Sequence, residues 1–115
     1  MPFVKITTSG EVTADKRDQF LAAVSKAVAD VTGKPERYLM VALDSGVIAM
    51  GGKIGPSAFV DVRAIGGLTP QTNAKFSAQI CALILKWLNI PGERVYLTFI
   101  DIPATHWGSN GVTFG

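Results

Sequence analysis

Apolar positions along the chain follow two different periods. Two segments place apolar side chains on one stripe at helical spacing, one from about residue 15 to 31 and one beginning at Thr69-Pro70. Four shorter segments are almost wholly apolar, which favours strands buried in a sheet: FVKIT (3–7), YLMVAL (38–43), AFVDVRAI (58–65) and VYLTFI (95–100). The order strand, helix, strand therefore occurs twice, as expected of two βαβ units.

Residues at the ends of the two helical segments support these boundaries. Thr13 or Asp15 can cap the first helix, and Gly33 can supply the left-handed residue that follows its last turn. Thr69 followed by Pro70 is a typical helix start. Between the two halves VIAM (47–50) predicts a short strand before a glycine-rich turn, and the tail after Ile102 has room for one or two short strands.

The two halves also resemble each other in sequence. A shift of 57 positions places VTGKPERYLMVAL (31–43) on LNIPGERVYLTFI (88–100), with Glu36 on Glu93 and Arg37 on Arg94. This predicts a single domain over residues 1–115 that contains two related units, about 2–44 and 58–101. The expected fold is α/β (α+β), a four-stranded mixed sheet with both helices on one face.

The second face of that sheet is expected to need a cover. YLMVAL and VYLTFI are apolar at both alternating sets of positions, whereas a solvated sheet face carries polar residues at every second position. Two helices cover only one face. The sequence therefore predicts that another copy of the same sheet covers the other, so that the protein is an obligate oligomer.

Charge and composition narrow the classes of partner. The 115 residues carry a net charge of +2 with no basic run, which disfavours nucleic acid and anionic membranes and favours a small molecule or a protein. No apolar run reaches the roughly 18 residues of a membrane span, and the first residues do not resemble a signal peptide. We expect a cytoplasmic protein, with secretion by a route without a signal peptide as an alternative. Cys81 is the single cysteine, expected to be an inert buried thiol.

Several motifs together resemble the macrophage migration inhibitory factor family of the tautomerase superfamily. They span most of the chain: the MPF start, TGKPERY (32–38), MGG (50–52), SAFVDVRAIGG (57–67), ERVYLTFID (93–101) and VTFG (112–115). The resemblance implies a homotrimer in which three sheets surround a central axis with the helices outside. It thereby adds a copy number to the oligomer that the uncovered sheet face predicts.

The resemblance also implies functional residues. Pro2 matches the family's catalytic proline, which is a free N-terminal amine once Met1 is removed. Lys34 matches a substrate-binding lysine, and Ile65 matches a residue whose backbone amide contacts the substrate carboxylate. Tyr96 matches a tyrosine donated by the neighbouring subunit. Phe114 matches the family's aromatic residue near the end of the chain.

Three positions depart from the family pattern. Thr98 stands where many members have asparagine, so this chain has a hydroxyl at that position and lacks the amide. Trp107 lies two positions before the tryptophan of many members, whose place an ungapped alignment gives to Ser109. The stretch SAFV (57–60) replaces the CxxC motif of vertebrate-type members, which excludes thiol redox catalysis by that motif. The pocket wall, and with it the substrate, is therefore expected to differ.

Keto–enol tautomerisation of a phenylpyruvate-like 2-oxo acid requires a base that is neutral near pH 7. An α-amino group titrates at about 7.7 to 8.0, and burial or a nearby cation such as Lys34 lowers that pKa. A base with a pKa near the working pH is efficient, so this chemistry requires neither a cofactor nor a metal. Candidate apolar walls are Phe3, Met40, Ile65, Trp107 and Phe114.

Other interpretations remain open at this stage. Lys34 is also typical of a loop after a helix, Ile65 of a core and Tyr96 of a strand, while His106 is expected to be solvated or hydrogen-bonded rather than catalytic. If Met1 is retained, the Pro2 nitrogen is an amide without basicity and the site is dormant. The alternative function is a cytokine-like factor that binds a protein receptor and keeps weak or vestigial tautomerase activity.

Overall fold

The computed structural model describes residues 2–115, so the predicted removal of Met1 lies outside the described residues. Two 19-residue helices, α1 (Ala14–Thr32) and α2 (Pro70–Leu88), follow the first strand of each half. Short 3₁₀ turns lie at Glu36–Tyr38, Gly92–Arg94 and Ala104–His106. The strands are β1 (Phe3–Ser9), β2 (Met40–Gly46), β3 (Ala49–Met50), β4 (Lys53–Ile54), β5 (Ala58–Ala64), β6 (Val95–Asp101), β7 (Gly108–Ser109) and β8 (Val112–Thr113).

Four strands form the predicted mixed sheet, in the order β2-β1-β5-β6. β1 is parallel to β2 and β5 is parallel to β6, while β1 and β5 are antiparallel. In this register Phe3 pairs with both Met40 and Arg63. The starts of β1 and β2 and the ends of β5 and β6 therefore share one end of the sheet, which we call the proline end because Pro2 precedes β1.

Both helices pack on the same face of the sheet and form the core. Alternate residues of β1 and β5 point into it, and each predicted helical stripe supplies fully buried side chains. Each such side chain contributes about 1.5 to 3 kcal/mol through burial. The large apolar side chains buried between the sheet and the helices are Val4, Ile6, Val60 and Val62 from the sheet and Phe20, Val24, Val28, Phe76, Ile80 and Ile84 from the helices. No helix formed by residues 2–115 has both the length and the apolarity needed to cross a bilayer.

The opposite face of the sheet is open and mixed in character. Its outer strands expose apolar side chains, with Met40 65% and Tyr96 62% exposed. Charged side chains share this face, including ion pairs between Lys5 of β1 and Asp44 of β2 at 3.2 Å and between Arg63 and Asp61 of β5 at 3.1 Å. An uncovered face of this kind is what the sequence predicts for the single chain, whereas the oligomer that would cover it stays a prediction.

Three local expectations are corrected by the structure. The second strand begins at Met40 rather than Tyr38, because Pro35 is followed by a 3₁₀ turn. The first helix begins at Ala14, with Thr13 at the N-cap but without a side-chain capping bond. The helix ends align the two units with a shift of 56 positions (89 − 33) rather than 57. Gly33 and Asn89 are the left-handed residues that follow α1 and α2. Helix ends set this correspondence, whereas identical Glu-Arg letters set the sequence alignment.

Candidate active site

A cavity of about 650 Å³ opens at the proline end of the sheet. It lies between the starts of β1 and β2, the 3₁₀ turn at 36–38 and the C-terminal hairpin formed by β7 and β8. Its size is typical of small-molecule sites, which range over roughly 300 to 1,000 Å³. Its larger apolar lining residues are Phe3, Leu39, Met40, Ile102, Trp107 and Phe114.

Pro2 lies in the wall of this cavity. Its carbonyl oxygen accepts a hydrogen bond from the Met40 amide at 3.2 Å, which continues the pairing of β1 with β2 back to the first described residue. The ring is fully buried. The sheet therefore holds Pro2 in a fixed position beside an apolar space.

The C-terminal hairpin places two aromatic residues at the cavity. Asn110 and Gly111 both adopt positive φ, 51° and 83°, which favours a tight two-residue turn between β7 and β8. The Phe114 amide donates to the Trp107 carbonyl at 3.1 Å and so closes the base of the hairpin. Trp107 and Phe114 both line the cavity, and Ser109, the position expected for tryptophan in the family pattern, lines it as well.

Lys34 and Ile65 are brought together, although neither lines the cavity of this chain. The Lys34 ammonium donates to the Ile65 carbonyl at 2.8 Å and to the Gly66 carbonyl at 3.1 Å. Gly67, which follows these two carbonyls, has a φ of +82°, a left-handed conformation that favours glycine. Ile65 directly follows β5. The pair therefore lies at the proline end, beside the cavity rather than within it.

Tyr96 lies at the other end of the sheet. It is the second residue of β6, pairs with Phe59 and points to the open face. At about 3.3 Å per strand residue, roughly 16 Å separates it from the end of β6. Tyr96 therefore does not reach the cavity of its own chain.

The sequence reasoning missed five polar residues that line the cavity: Arg37, Tyr38, Arg63, His106 and Asn110. The Arg37 guanidinium carbon lies 4.7 Å from the centre of the Tyr38 ring, and its Nη2 donates to the Tyr38 hydroxyl at 3.2 Å. A sequence signal was present, because Arg37 and Tyr38 belong to TGKPERY and Arg63 belongs to SAFVDVRAIGG. The pairing of Arg63 with Phe3, which places it at the cavity, is visible only in the structure. His106, expected to be non-catalytic, is exposed at the cavity.

The cavity has a one-sided charge distribution. Two arginines line it and no aspartate or glutamate does so among residues 2–115. Arg63 is ion-paired with Asp61, whereas Arg37 forms no ion pair within the described part of the chain. Between residues 2 and 115, no three His, Cys, Asp or Glu side chains are grouped so that they could hold a metal ion. The site therefore offers cations and hydrogen-bond donors to an anionic ligand.

Comparisons with known proteins agree with the fold. The family model described as macrophage migration inhibitory factor matches residues 1–115. A macrophage migration inhibitory factor homolog from Trichinella spiralis is 32% identical over 115 residues, covering 99% of this chain and 100% of that protein. One from Trichuris trichiura is 36% identical over 96 residues, covering 83% of this chain and 84% of that protein.

Solved structures give the same picture. A macrophage migration inhibitory factor homologue from Prochlorococcus marinus is 37% identical with a TM-score of 0.93, covering 98% of this chain and 99% of that chain. A macrophage migration inhibitory factor-like protein from Entamoeba histolytica is 31% identical with a TM-score of 0.94, covering 98% of both chains. The similarity therefore includes the proline end of the sheet together with the C-terminal hairpin.

Proposed function

This chain belongs to the macrophage migration inhibitory factor family, within the tautomerase superfamily, and from that premise we propose that it is a cofactor-independent keto–enol tautomerase of small aromatic 2-oxo acids. The general base is the secondary amine of Pro2, which becomes free when Met1 is removed. One observation carries the proposal: the buried Pro2 lies in the wall of a largely apolar cavity that two arginines line and that no carboxylate among residues 2–115 lines.

The reaction rearranges the substrate without adding or removing atoms. In the direction of the enol, the Pro2 nitrogen takes a proton from the carbon between the ring and the carbonyl. The electrons of that C–H bond form the C=C bond, the π electrons of the carbonyl move to its oxygen, and that oxygen takes a proton from solvent water. In the reverse direction the protonated amine returns a proton to carbon. Burial of Pro2 in the wall of the cavity favours the neutral amine, which keeps the base active near neutral pH.

Substrate binding divides between apolar and polar groups. The aromatic side chains of Phe3, Trp107 and Phe114 provide faces for the substrate ring. An ammonium group has three N–H donors, and Lys34 uses two of them on the Ile65 and Gly66 carbonyls. The third N–H of Lys34 and the backbone amide of Ile65 bind the carboxylate, in the roles that the family resemblance implies.

The complete site belongs to a homotrimer in this proposal. Tyr96 is 62% exposed and lies too far along β6 to reach its own cavity, so it contributes only to the cavity of a neighbouring copy. Covering Met40 and Tyr96 also removes highly exposed apolar side chains of the open face from water. Sedimentation analysis that finds an active, folded monomer would contradict this assembly.

The test compares the ketonisation rate of an aromatic enolpyruvate for wild type and Pro2→Gly. Both samples need an intact mass that proves the loss of Met1, and wild type that retains Met1 is the matched control. We expect both Pro2→Gly and the Met1-retaining protein to lose about 10² to 10⁴ in rate, because each lacks the proline amine. Processed wild type that is no faster than Pro2→Gly would refute the proposal.

A covalent probe gives a second readout of the same nitrogen. A protein with the same fold, 24% identical and with a TM-score of 0.87, was crystallised after inactivation by 2-oxo-3-pentynoate. That likeness shows the fold alone, but the reagent is a small electrophilic 2-oxo acid that suits the proposed chemistry. We expect a mass adduct on the N-terminal peptide of processed wild type and none on protein that retains Met1.

A second candidate function is a protein-binding, cytokine-like factor that acts through a receptor. It is favoured by relatives from Xenopus laevis and Rattus norvegicus that carry the name macrophage migration inhibitory factor, 32% and 31% identical to this chain. Its distinguishing outcome is a Pro2→Gly protein that loses tautomerase activity yet keeps full binding to the partner.

A further inference from the structure

The cavity contains more positive charge than one carboxylate requires. In the proposed tautomerase, Lys34 and the Ile65 amide bind the carboxylate of the 2-oxo acid from beside the cavity. Arg37 and Arg63 line the cavity itself, and no acidic side chain among residues 2–115 lines it with them. At least one further cation is therefore left without an assigned role.

The two arginines are not equally available to a ligand. The Arg63 guanidinium contacts Asp61 through Nε at 3.3 Å and through Nη2 at 3.1 Å, so its charge is largely balanced. Arg37 contacts Tyr38 alone among its side-chain partners within residues 2–115. The tyrosine ring and hydroxyl orient the Arg37 guanidinium without neutralising it, which leaves most of its N–H donors for an anion.

Most of the large side chains that line the cavity are apolar, so a ligand that carries two anionic groups and fills the cavity needs an apolar body between them. Phe3, Met40, Trp107 and Phe114 supply that lining. A cavity of about 650 Å³ accommodates an aromatic ring with a substituent at each end.

We propose that the preferred ligands of this cavity are dianions, namely aromatic 2-oxo acids with a second carboxylate on the ring, and that Arg37 binds this distal carboxylate. This inference rests on the proposed function for the orientation of the 2-oxo acid end. It makes Arg37 a specificity-determining residue, because removing it changes which substrate is preferred rather than how the proton moves. Phenylpyruvate is then a slower relative of the preferred substrate.

Binding of unreactive analogues tests this without relying on turnover. The probes are cinnamate, 4-carboxycinnamate and 4-carbamoylcinnamate, because the last two have similar shape but differ by one charge. We expect processed wild type to bind 4-carboxycinnamate about fivefold to tenfold more tightly than 4-carbamoylcinnamate. This is the gain in affinity expected from one charged hydrogen bond at a partly solvent-exposed site. Arg37→Gln should abolish that preference and leave the affinity for cinnamate unchanged.

The control variant is Arg17→Gln, which removes an exposed arginine of α1 that pairs with Asp18 and does not line the cavity. It should retain the preference for 4-carboxycinnamate. Equal affinities of the two substituted probes for wild type, a preference that survives Arg37→Gln, or no binding of any probe would each overturn the inference. Failure of the tautomerase proposal would give a different result from failure of this inference. In that case the preference for 4-carboxycinnamate would remain, while the rate in the enolpyruvate assay would not depend on Pro2.

Discussion

The loop after α1 and the loop after α2 have related sequences but use their arginines differently. Both contain a proline followed by a 3₁₀ turn with a Glu-Arg pair, and the sequence aligns Arg37 with Arg94. Arg37 lies over Tyr38 at the cavity and forms no ion pair within the described chain. Arg94 donates instead to the Pro56 carbonyl at 2.7 Å, the Ser57 hydroxyl at 2.8 Å and the Lys53 carbonyl at 3.0 Å.

The topology of the sheet explains this difference. Because β1 and β5 are antiparallel, the two corresponding loops lie at opposite ends of the sheet. The loop after α2 meets the 53–57 segment, whose carbonyls need donors and whose Ser57 is 1% exposed. The loop after α1 meets the open cavity. One motif can therefore stabilise the fold at one end and bind a ligand at the other.

The largest expected contrast is between the two arginines themselves. Arg94→Met should lower the free energy of unfolding by about 2 to 3 kcal/mol, because it leaves the hydroxyl of Ser57 and nearby carbonyls without their donor. Arg37→Met, the matched control, should change it by less than about 0.5 kcal/mol. Urea denaturation measures both. Equal losses would show that the two loops do not differ in this way.

The residues that end the two helices give the next contrast. Gly33 has a φ of 69° and Asn89 a φ of 55°, and both are left-handed. Gly33→Ala should lower the free energy of unfolding by about 1 to 2 kcal/mol through backbone strain alone, because nothing lies within 4 Å of the added Cβ. Asn89→Ala should lower it by less, since asparagine already bears part of that strain. The opposite ranking in urea denaturation would contradict the argument.

The starts of the two helices differ by a capping box, which α2 has and α1 lacks. The Thr69 hydroxyl accepts a hydrogen bond from the Thr72 amide at 3.2 Å, whereas Thr13 caps α1 without a side-chain bond. Thr69→Ala should therefore lower the free energy of unfolding by about 1 kcal/mol and Thr13→Ala should leave it nearly unchanged. The thermal midpoints of the two variants, compared with wild type, distinguish these outcomes.

The smallest effect concerns Cys81 in α2, whose counterpart in α1, counted from the helix ends, is Ser25. Burial raises the pKa of the Cys81 thiol, and a hydrogen bond with Ser77 opposes this in part. The folded thiol should therefore react with iodoacetamide at pH 7.5 more slowly than in urea. Because the unfolded thiol ionises first, the free energy of unfolding should fall slightly as the pH rises above the ordinary thiol value of about 8.5.

A Cys81→Ser variant is the control for that pH dependence, since a hydroxyl does not titrate in this range. A loss of stability at high pH that persists in Cys81→Ser would assign it to other groups. Equal alkylation rates in folded and unfolded protein would show that the thiol is not protected.

The regular part of the fold was predictable from the sequence because its signals are local. Helical stripes such as Phe20, Val24 and Val28 needed only their spacing, and Gly33 and Thr69 marked helix boundaries through their own backbone and side-chain preferences. The four-stranded mixed sheet with its helices on one face followed from the order of these segments. The start of β2 did not, because the 3₁₀ turn after Pro35 uses residues that also have strand propensity.

The candidate site depended on tertiary structure to a greater extent. The motifs indicated Pro2, Trp107 and Phe114, and the fold gathers these three around one cavity. They did not indicate that Lys34 would bond to the Ile65 carbonyl beside the cavity, or that Arg37 and Arg63 would line it.

The sequence by itself determined the elements, their order and the presence of a candidate base at Pro2. Only the tertiary structure decided which of two aligned arginines is held by the fold and which is left for a ligand. The reason is physical: a side chain's role depends on the donors, acceptors and charges around it. Arg37 and Arg94 have similar neighbours in sequence, but the antiparallel pairing of β1 with β5 gives them different neighbours in space.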